Sequence, residues 1–190
     1  NIDLEAARQM NGVHLVATQV DLDADHIGDV LCQYRPPLVG GGEMQLVSKP
    51  AMVRDINRHA GDIVAMVVAD RQETADCAIE LIAAEFEPMP AVTDIYAAIK
   101  DGAPQLYDCY PNNIAFEWEA GKLDETQRAM NAAIADGHQI IEIDVVNSRV
   151  VINSLETRPM VAAPGAKDGT LDIWCGTQGV VGIAEQIAKA

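Results

Sequence analysis

The residues that could carry redox or metal chemistry lie far apart in this sequence. Four cysteines occur and none forms a C-x-x-C pair: Cys32, Cys77, Cys109 and Cys175. Zinc and iron–sulfur sites usually take at least two ligands from one tight loop, so this spacing supports neither kind of site. We expect four buried or half-buried free thiols in a reducing compartment, and therefore a cytoplasmic protein with no metal bound to this chain.

The motifs of hydrolases and nucleotide-binding proteins are missing or incomplete. None of the four histidines shares a helical i, i+4 spacing with a second histidine and a glutamate, and no G-x-S-x-G turn occurs. These patterns are typical of zinc proteases and of α/β-hydrolases. The run Gly40-Gly41-Gly42 could cradle a phosphate, but no clean helix opens after it. Backbone freedom is therefore the favoured role for these glycines.

One charged pair is more informative than the rest. Glu156 and Arg158 follow a predicted strand, where a fixed pair of charges could orient the backbone or line a pocket. Of these roles, a structural ion pair at the end of the strand is favoured. The residues by themselves therefore indicate an acidic α+β protein with no complete active site.

The charge balance excludes two classes of partner. The 190 residues include 13 Lys and Arg against 29 Asp and Glu, a formal net charge of −16. Proteins that bind nucleic acid or dock on anionic lipid use basic surfaces, so we expect neither a nucleic-acid nor a membrane partner. No apolar run approaches the ~18 residues that a membrane span needs.

The first half of the chain predicts elements that alternate between helix and strand. We predict a helix over 2–10 with Asp3 as its N-cap, a strand over 13–20, a loop over 21–58, a strand over 63–68, and an amphipathic helix that begins in a capping box of Asp70 and Glu73. A loop as long as 21–58 usually serves a function, forms an interface or moves. The apolar run 63–68 is typical of a strand that is buried on both faces.

The second half has its own pattern. We predict a helix over 123–136 closed by Gly137, a strand over 141–145 with which 149–153 could pair, a hairpin whose arms are 159–163 and 170–175, and a last helix capped by Thr177. Asp168-Gly169 supplies the turn of the hairpin. The fold class is therefore α+β, in two pieces that meet near residue 105.

The order of several motifs resembles that of the molybdenum hydroxylases. Residues 61–70 (GDIVAMVVAD), an Ala-rich helix and residues 86–92 (FEPMPAV) resemble the VG-x-x-VA-x-VVA strand, the helix and the (Y/F)EPLP-V strand of their α/β-hammerhead domain. Residues 2–13 resemble its opening passage, while 101–107 (DGAPQLY) and 113–116 (NIAF) are similar to the linker and strand that follow it. The superfamily includes xanthine dehydrogenase, aldehyde oxidase and the large chain of aerobic carbon monoxide dehydrogenase.

The resemblance also reaches the cofactor-binding part of the family. Residues 147–149 (NSR) and 155–158 (LETR) are similar to its NQR…P-ME-R stretch, and 177–179 (TQG) to its TQ-PH turn. Serine stands where related sequences often carry a glutamine near the molybdenum, which implies either a departure from the usual catalysis of the family or a different subgroup. The resemblance implies two cofactor-binding residues and a structural ion pair or pocket wall: Ser148 and Gln178, and Glu156 and Arg158.

The same resemblance implies which parts of the enzyme this chain lacks. The glycine-rich pterin contacts and the catalytic glutamate of the family lie C-terminal to this stretch, so no catalytic residue is expected here. The 2Fe-2S clusters and FAD belong to companion domains or subunits, and no cofactor is expected to stay bound to this piece alone. We expect a truncated hammerhead domain over 1–104, without its N-terminal strands, and the beginning of a molybdopterin-binding domain over 105–190.

Two functions remain open. In the first, the chain is a scaffold piece, inactive alone, of a large subunit that oxidises or hydroxylates an aldehyde, a purine, an N-heterocycle or carbon monoxide. Its partners are then the remainder of the large subunit and the iron–sulfur and FAD subunits or domains, with a homodimer as a further option. In the alternative, it is a stand-alone, non-catalytic hammerhead-like module for assembly or partner binding.

Overall fold

The computed structural model describes residues 1–30, 32, 34–147, 150, 155–157 and 159–190. Its contacts group these residues into two units, one formed by Asn1–Glu119 with Glu185–Ala190 and the other by Ala120–Ala184. Helices and short antiparallel strands occur in both units, which confirms the predicted α+β class. Within the described ranges, no helix is both long enough and apolar enough to cross a bilayer.

The first unit is built from two small sheets and the helices beside them. In chain order its elements are β1 (Ile2–Asp3), α1 (Glu5–Arg8), β2 (Val13–Ala17), α2 (Gln19–Ala24), β3 (Met66–Ala69), α3 (Gln72–Glu80), β4 (Ala83–Ala84) and α4 (Ile95–Ala98). Strand β1 pairs with β4, and β2 pairs with β3, both antiparallel. A 3-10 turn over Pro111–Asn113 follows α4.

The core of this unit lies where α1 and α3 pack against the β2–β3 pair. Its buried members are Leu4, Ala7, Val16 and Ala78. Ala7 and Ala78 are fully buried, one in each helix. Since alanine has the smallest apolar side chain that still favours a helix, both helices can approach the sheet closely.

Two predicted helix starts are wrong, one beside a local hydrogen bond and the other beside a bond to a distant residue. Ile2 and Asp3 form strand β1, and Asp3 Oδ1 accepts a hydrogen bond from Glu5 N (3.0 Å), so the helix begins only at Glu5. No capping box forms at α3, whose N-cap is Arg71 without a side-chain cap. Asp70 N instead donates to Gly12 O (3.0 Å) at the end of the β2–β3 pair, and the helix begins two residues later at Gln72.

The predicted loop 21–58 begins inside a helix that sequence reasoning missed. Helix α2 starts after Thr18, whose backbone N–H donates to Asp21 Oδ2 (2.7 Å). A short strand-like bridge then joins Val30 N to Lys49 O (2.8 Å). This bridge joins the first part of the long loop to its later part.

A network around Arg54 fastens the same loop to α2. The Arg54 guanidinium donates twice to Asp23, at 2.8 and 3.0 Å, and once to Asp29 at 3.2 Å. Gln19 is buried and donates to Asp23 Oδ1 (2.9 Å), while its own Oε1 accepts from Met52 N (2.8 Å). One arginine and one buried amide therefore connect both ends of the loop.

The acidic groups of this network keep their charge at low pH. The hydrogen bonds from Arg54, and then from Gln19, lower the pKa of Asp23 from 3.8 to about 2. The pKa of Asp29 is also lowered, first by the hydroxyl of Ser48 and then by the guanidinium of Arg54, while burial acts in the opposite direction. Hydrogen bonds to ionised groups are stronger than those between neutral groups, so the network depends on both carboxylates being charged.

Residues 101–107, which resemble the linker of the family, are held by the amide side chain of Asn113. Asn113 Oδ1 accepts from Leu106 N (2.8 Å), and Asn113 Nδ2 donates to Ala98 O (2.9 Å) and Pro104 O (3.0 Å). Arg58 Nε also donates to Leu106 O (2.9 Å). These side chains replace the backbone ladder that the segment lacks.

The second unit contains α5 (Leu123–Ala135), β5 (Met160–Pro164), β6 (Leu171–Cys175) and the start of α6 (Val180–Lys189). The predicted helix and its cap are confirmed, since Gly137 has φ +81° and His138 N donates to Ala133 O (3.0 Å). The predicted hairpin is also confirmed. Met160 pairs with Cys175, Pro164 pairs with Leu171, and Gly169 in the turn has φ +76°.

The predicted strand over 141–145 is not formed in the described part of this unit. Ile141, Ile143 and Val145 are each at least 75% exposed. The segment 149–153 that could pair with it lies outside the described residues, apart from Val150. An alternating pattern predicts which face a strand buries, but a strand forms only against a partner.

Candidate functional site

The described residues of the second unit contain two of the four site residues that the sequence predicts. Gln178 lies in the turn between β6 and α6, and Glu156 lies before β5; both are exposed. Ser148 and Arg158 lie outside the described residues, so the cofactor contact of the first and the ion pair of the second stay predictions.

The turn that carries Gln178 is closed by its threonine. Thr177 Oγ1 accepts from Gly179 N (3.1 Å), and Gly179 O accepts from Ile183 N (3.3 Å) in the first turn of α6. Thr177 therefore orders the turn before the helix, but it is not the N-cap that the sequence predicted, because α6 begins only at Val180. This bond between the residues on either side of Gln178 restrains the backbone of the turn.

Glu156 reaches the same turn from a distant part of the sequence. Its Oε1 lies 3.8 Å from the position that a Cβ on Gly176 would occupy. The Glu156 carboxylate therefore lies beside Gly176, the residue before Thr177 and Gln178 in the chain. These side chains offer hydrogen-bond donors and acceptors to a polar ligand, but they include no nucleophile with a base beside it.

The glycines leave this turn open. A Cβ on Gly179 would meet no heavy atom within 4 Å, so a ligand can approach the backbone there. The first N–H groups of any α-helix have no partner within the helix, and the N-terminus carries a partial positive charge. The start of α6 therefore favours oxygen-rich or anionic groups.

Elsewhere in the described part of the chain, metal ligands do not cluster. No group of three His, Cys, Asp or Glu residues is placed to hold a metal ion among those residues. All four cysteines are free, as expected. Cys109 and Cys175 are half-buried, but Cys32 and Cys77 are exposed, which corrects the expectation that every thiol is at least half-buried.

The glycine run in the long loop forms no helix-borne phosphate cradle. Gly40, Gly41 and Gly42 have φ values of +80°, +83° and +101°, a region that other residues rarely adopt. No helix is described directly after them, and a Cβ on any of the three would meet no heavy atom within 4 Å. The run supplies backbone freedom at an exposed loop tip.

Two family descriptions match the chain in succession. Residues 1–90 match the aldehyde oxidase and xanthine dehydrogenase a/b hammerhead domain. Residues 106–190 match the molybdopterin cofactor-binding domain, and they include all four predicted site residues.

Individual proteins show the same similarity over most of the chain. The nicotine 6-hydroxylase large subunit of Paenarthrobacter nicotinovorans is 27% identical over 179 residues, which cover 93% of this chain and 20% of that protein. The carbon monoxide dehydrogenase large chain of Afipia carboxidovorans is 26% identical over 186 residues, which cover 92% of this chain and 21% of that protein. The chain thus spans about one fifth of the length of these curated relatives.

A solved structure has the same fold. The Cu,Mo-CO dehydrogenase in its carbon monoxide reduced state matches with a TM-score of 0.68 and 22% sequence identity. The match covers 100% of this chain and 23% of that one. The matched region therefore includes residues of both units, and in the solved structure it lies within one longer polypeptide.

Proposed function

Because this chain belongs to the molybdenum hydroxylase large-chain family, we propose that it supplies the α/β-hammerhead domain and the beginning of the molybdopterin-binding domain of such a large chain. The observation that carries the proposal is the succession of the two family matches, in the order in which the two domains occur in relatives of greater length. We place the boundary between the two domains near residue 105.

The proposed enzyme oxidises or hydroxylates a small molecule of the classes that its relatives are named for. Those names include nicotine and carbon monoxide, and the family description adds aldehydes and xanthine. Within such an enzyme, the present chain is scaffold and one wall of the substrate funnel. In our proposal it carries no catalytic residue, because the resemblance places the catalytic glutamate of the family C-terminal to this stretch.

The residues at the turn before α6 fit the polar pterin group that this family binds. Gln178 is exposed, Gly179 leaves the backbone open, and the helix start favours oxygen-rich groups. When bound, the molybdenum–pterin group supplies the two-electron chemistry. In our proposal the Gln178 side chain and the first N–H groups of α6 donate to the pterin side of the cofactor, and Ser148 is a further contact.

The remaining side chains of the site have positioning roles. Thr177 holds the turn through its bond to Gly179 N, and Glu156 lies against Gly176 at the start of that turn. We propose that Glu156 pairs with Arg158 and forms part of the pocket wall. Both roles keep the backbone on either side of Gln178 in place.

The partners follow from the names of the relatives. Proteins called large subunit or large chain assemble with smaller ones, and one relative is a subunit of a dehydrogenase complex. We propose that the remainder of a large chain packs on these two units, and that companion subunits or domains hold 2Fe-2S clusters and FAD. The four free thiols support a reducing, cytoplasmic compartment.

Metal and pterin analysis of the full-length gene product, purified with its companions, tests the proposal. We expect molybdenum and pterin to be present together. A Gln178→Ala variant should retain less pterin than the wild type, whereas Gln139→Ala, a matched exposed amide in the same unit, should not. A purified complex without molybdenum and pterin would contradict the proposal and favour the assembly-module alternative.

A further inference from the structure

We propose that Asn11 is a site of spontaneous deamidation, a covalent modification that does not depend on the proposed enzyme function. The chain has asparagine at positions 1, 11, 57, 112, 113, 131, 147 and 153, and only Asn11 is followed by glycine. Glycine has no Cβ to hinder its own amide nitrogen, so the nitrogen of Gly12 can reach the preceding side chain more easily than any other backbone nitrogen in this set.

The chemistry needs only water. The backbone nitrogen of Gly12 attacks Cγ of Asn11, a C–N bond forms, and the side-chain nitrogen leaves as ammonia. The resulting five-membered succinimide is then opened by water at either carbonyl. One product is aspartate, and the other is isoaspartate, in which the main chain passes through the former side chain.

The local structure exposes this dipeptide and holds it weakly. Asn11 is exposed, and it lies in the turn from Met10 to Val13, closed by the bond from Val13 N to Met10 O (3.1 Å). Gly12 has φ +87° at the third position of this turn, which is the arrangement of a type II turn. The attack requires rotation about the Asn11 backbone, so the turn must open. The bond from Val13 N to Met10 O breaks first, and the bond from Asp70 N to Gly12 O must loosen with it.

The modification would act on the sheet that supports the core. Gly12 O accepts from Asp70 N (3.0 Å), and a Cβ on Gly12 would lie only 2.8 Å from Asp70 Oδ1. Either product adds a negative charge one residue from this contact, and isoaspartate also lengthens the backbone just before β2. The register of the β2–β3 pairing already shifts between Val13 and Leu15. A further change at Asn11 would therefore act on an end of the sheet that is already irregular.

Peptide mapping by mass spectrometry tests the proposal directly. The protein is incubated at mildly alkaline pH, and we expect the mass gain from replacing NH₂ by OH in the peptide that contains Asn11. The gain should accumulate at least about tenfold faster than at Asn131 or Asn147, a difference of only about 1.4 kcal/mol in barrier. The isoaspartate fraction should react with an isoaspartate methyltransferase.

Two variants make the result decisive. Asn11→Gln should keep the fold by circular dichroism and lose the modification, since a glutamine must close a larger ring. Asn11→Asp carries the charge of the product and should melt at a lower temperature than Asn11→Gln. The proposal is overturned if Asn11 stays intact, if it reacts no faster than Asn131, or if the same peptide still gains mass in Asn11→Gln.

Discussion

At the level of single residues, the guanidinium of Arg54 joins two carboxylates from different segments, Asp23 in α2 and Asp29 beyond it. Such contacts leave no trace in local sequence spacing, and the loop 21–58 is therefore predicted as irregular. The side chain of Asp70 gives the reverse case. Its spacing to Glu73 predicts a cap, but a backbone bond to the distant Gly12 takes precedence.

Acid should loosen the Arg54 network, and we expect Asp23 to contribute to this loss. Its pKa is lowered from 3.8 to about 2, so its contribution to stability is present above pH 4 and is lost as the pH falls through 2. Asp23→Asn should therefore show a smaller drop in urea midpoint between pH 4 and pH 2 than the wild type. Asp25→Asn, two residues on, should follow the wild-type curve, and equal curves for all three proteins would contradict the role of Asp23.

At the level of elements, sequence reasoning succeeded where the signal is local. Helix α5 has a polar–apolar period and a glycine just past its end, and the β5–β6 hairpin has Asp168-Gly169 in its turn. Each of these elements depends on residues within a few positions of one another. The segment 141–145 has an equally clear alternation, but a strand needs a partner that local pattern cannot supply. The candidate site is harder still, because Gln178 stands out only through its resemblance to a known family.

The two glycines at helix positions in the second unit should respond in opposite ways to the same substitution. Gly137 has φ +81°, so Gly137→Ala should destabilise the C-terminus of α5 by about 1 kcal/mol. Gly182 lies inside α6 with open space where a Cβ would be, so Gly182→Ala should stabilise that helix by up to about 1 kcal/mol. Helicity measured by circular dichroism during thermal unfolding gives both values, and shifts of the same sign would contradict the assignment of the α5 cap.

At the level of the whole molecule, the two units differ in how much they bury. The first has a core of Leu4, Ala7, Val16 and Ala78. Among the described residues from 120 to 184, none is buried, and Ile141, Val145 and Leu155 are largely exposed. Exposed apolar surface on this scale is typical of an interaction surface, which agrees with the proposal that more of a large chain packs on it.

Under the proposed function, this exposure predicts a difference between the 190-residue chain and the longer large chain to which it would belong. The short chain should bind a hydrophobic fluorescent dye strongly at neutral pH, and the full-length protein should bind less dye per molecule. Leu155→Ser in the short chain should lower the signal, whereas Ser48→Ala in the Arg54 network should not. Equal binding by the short and full-length proteins would show that this surface stays uncovered in the larger chain.

The glycine run at the tip of the long loop has a consequence for protein engineering. Arg54 and the Val30–Lys49 bridge fasten the loop at its base, while a Cβ on Gly41 or Gly42 would meet no heavy atom within 4 Å. Lengthening a loop that is already closed adds little entropy cost, because that cost rises only with the logarithm of length. An epitope or a small fluorescent domain could therefore be inserted between Gly41 and Gly42, which would label the protein without touching its termini or the turn that carries Gln178.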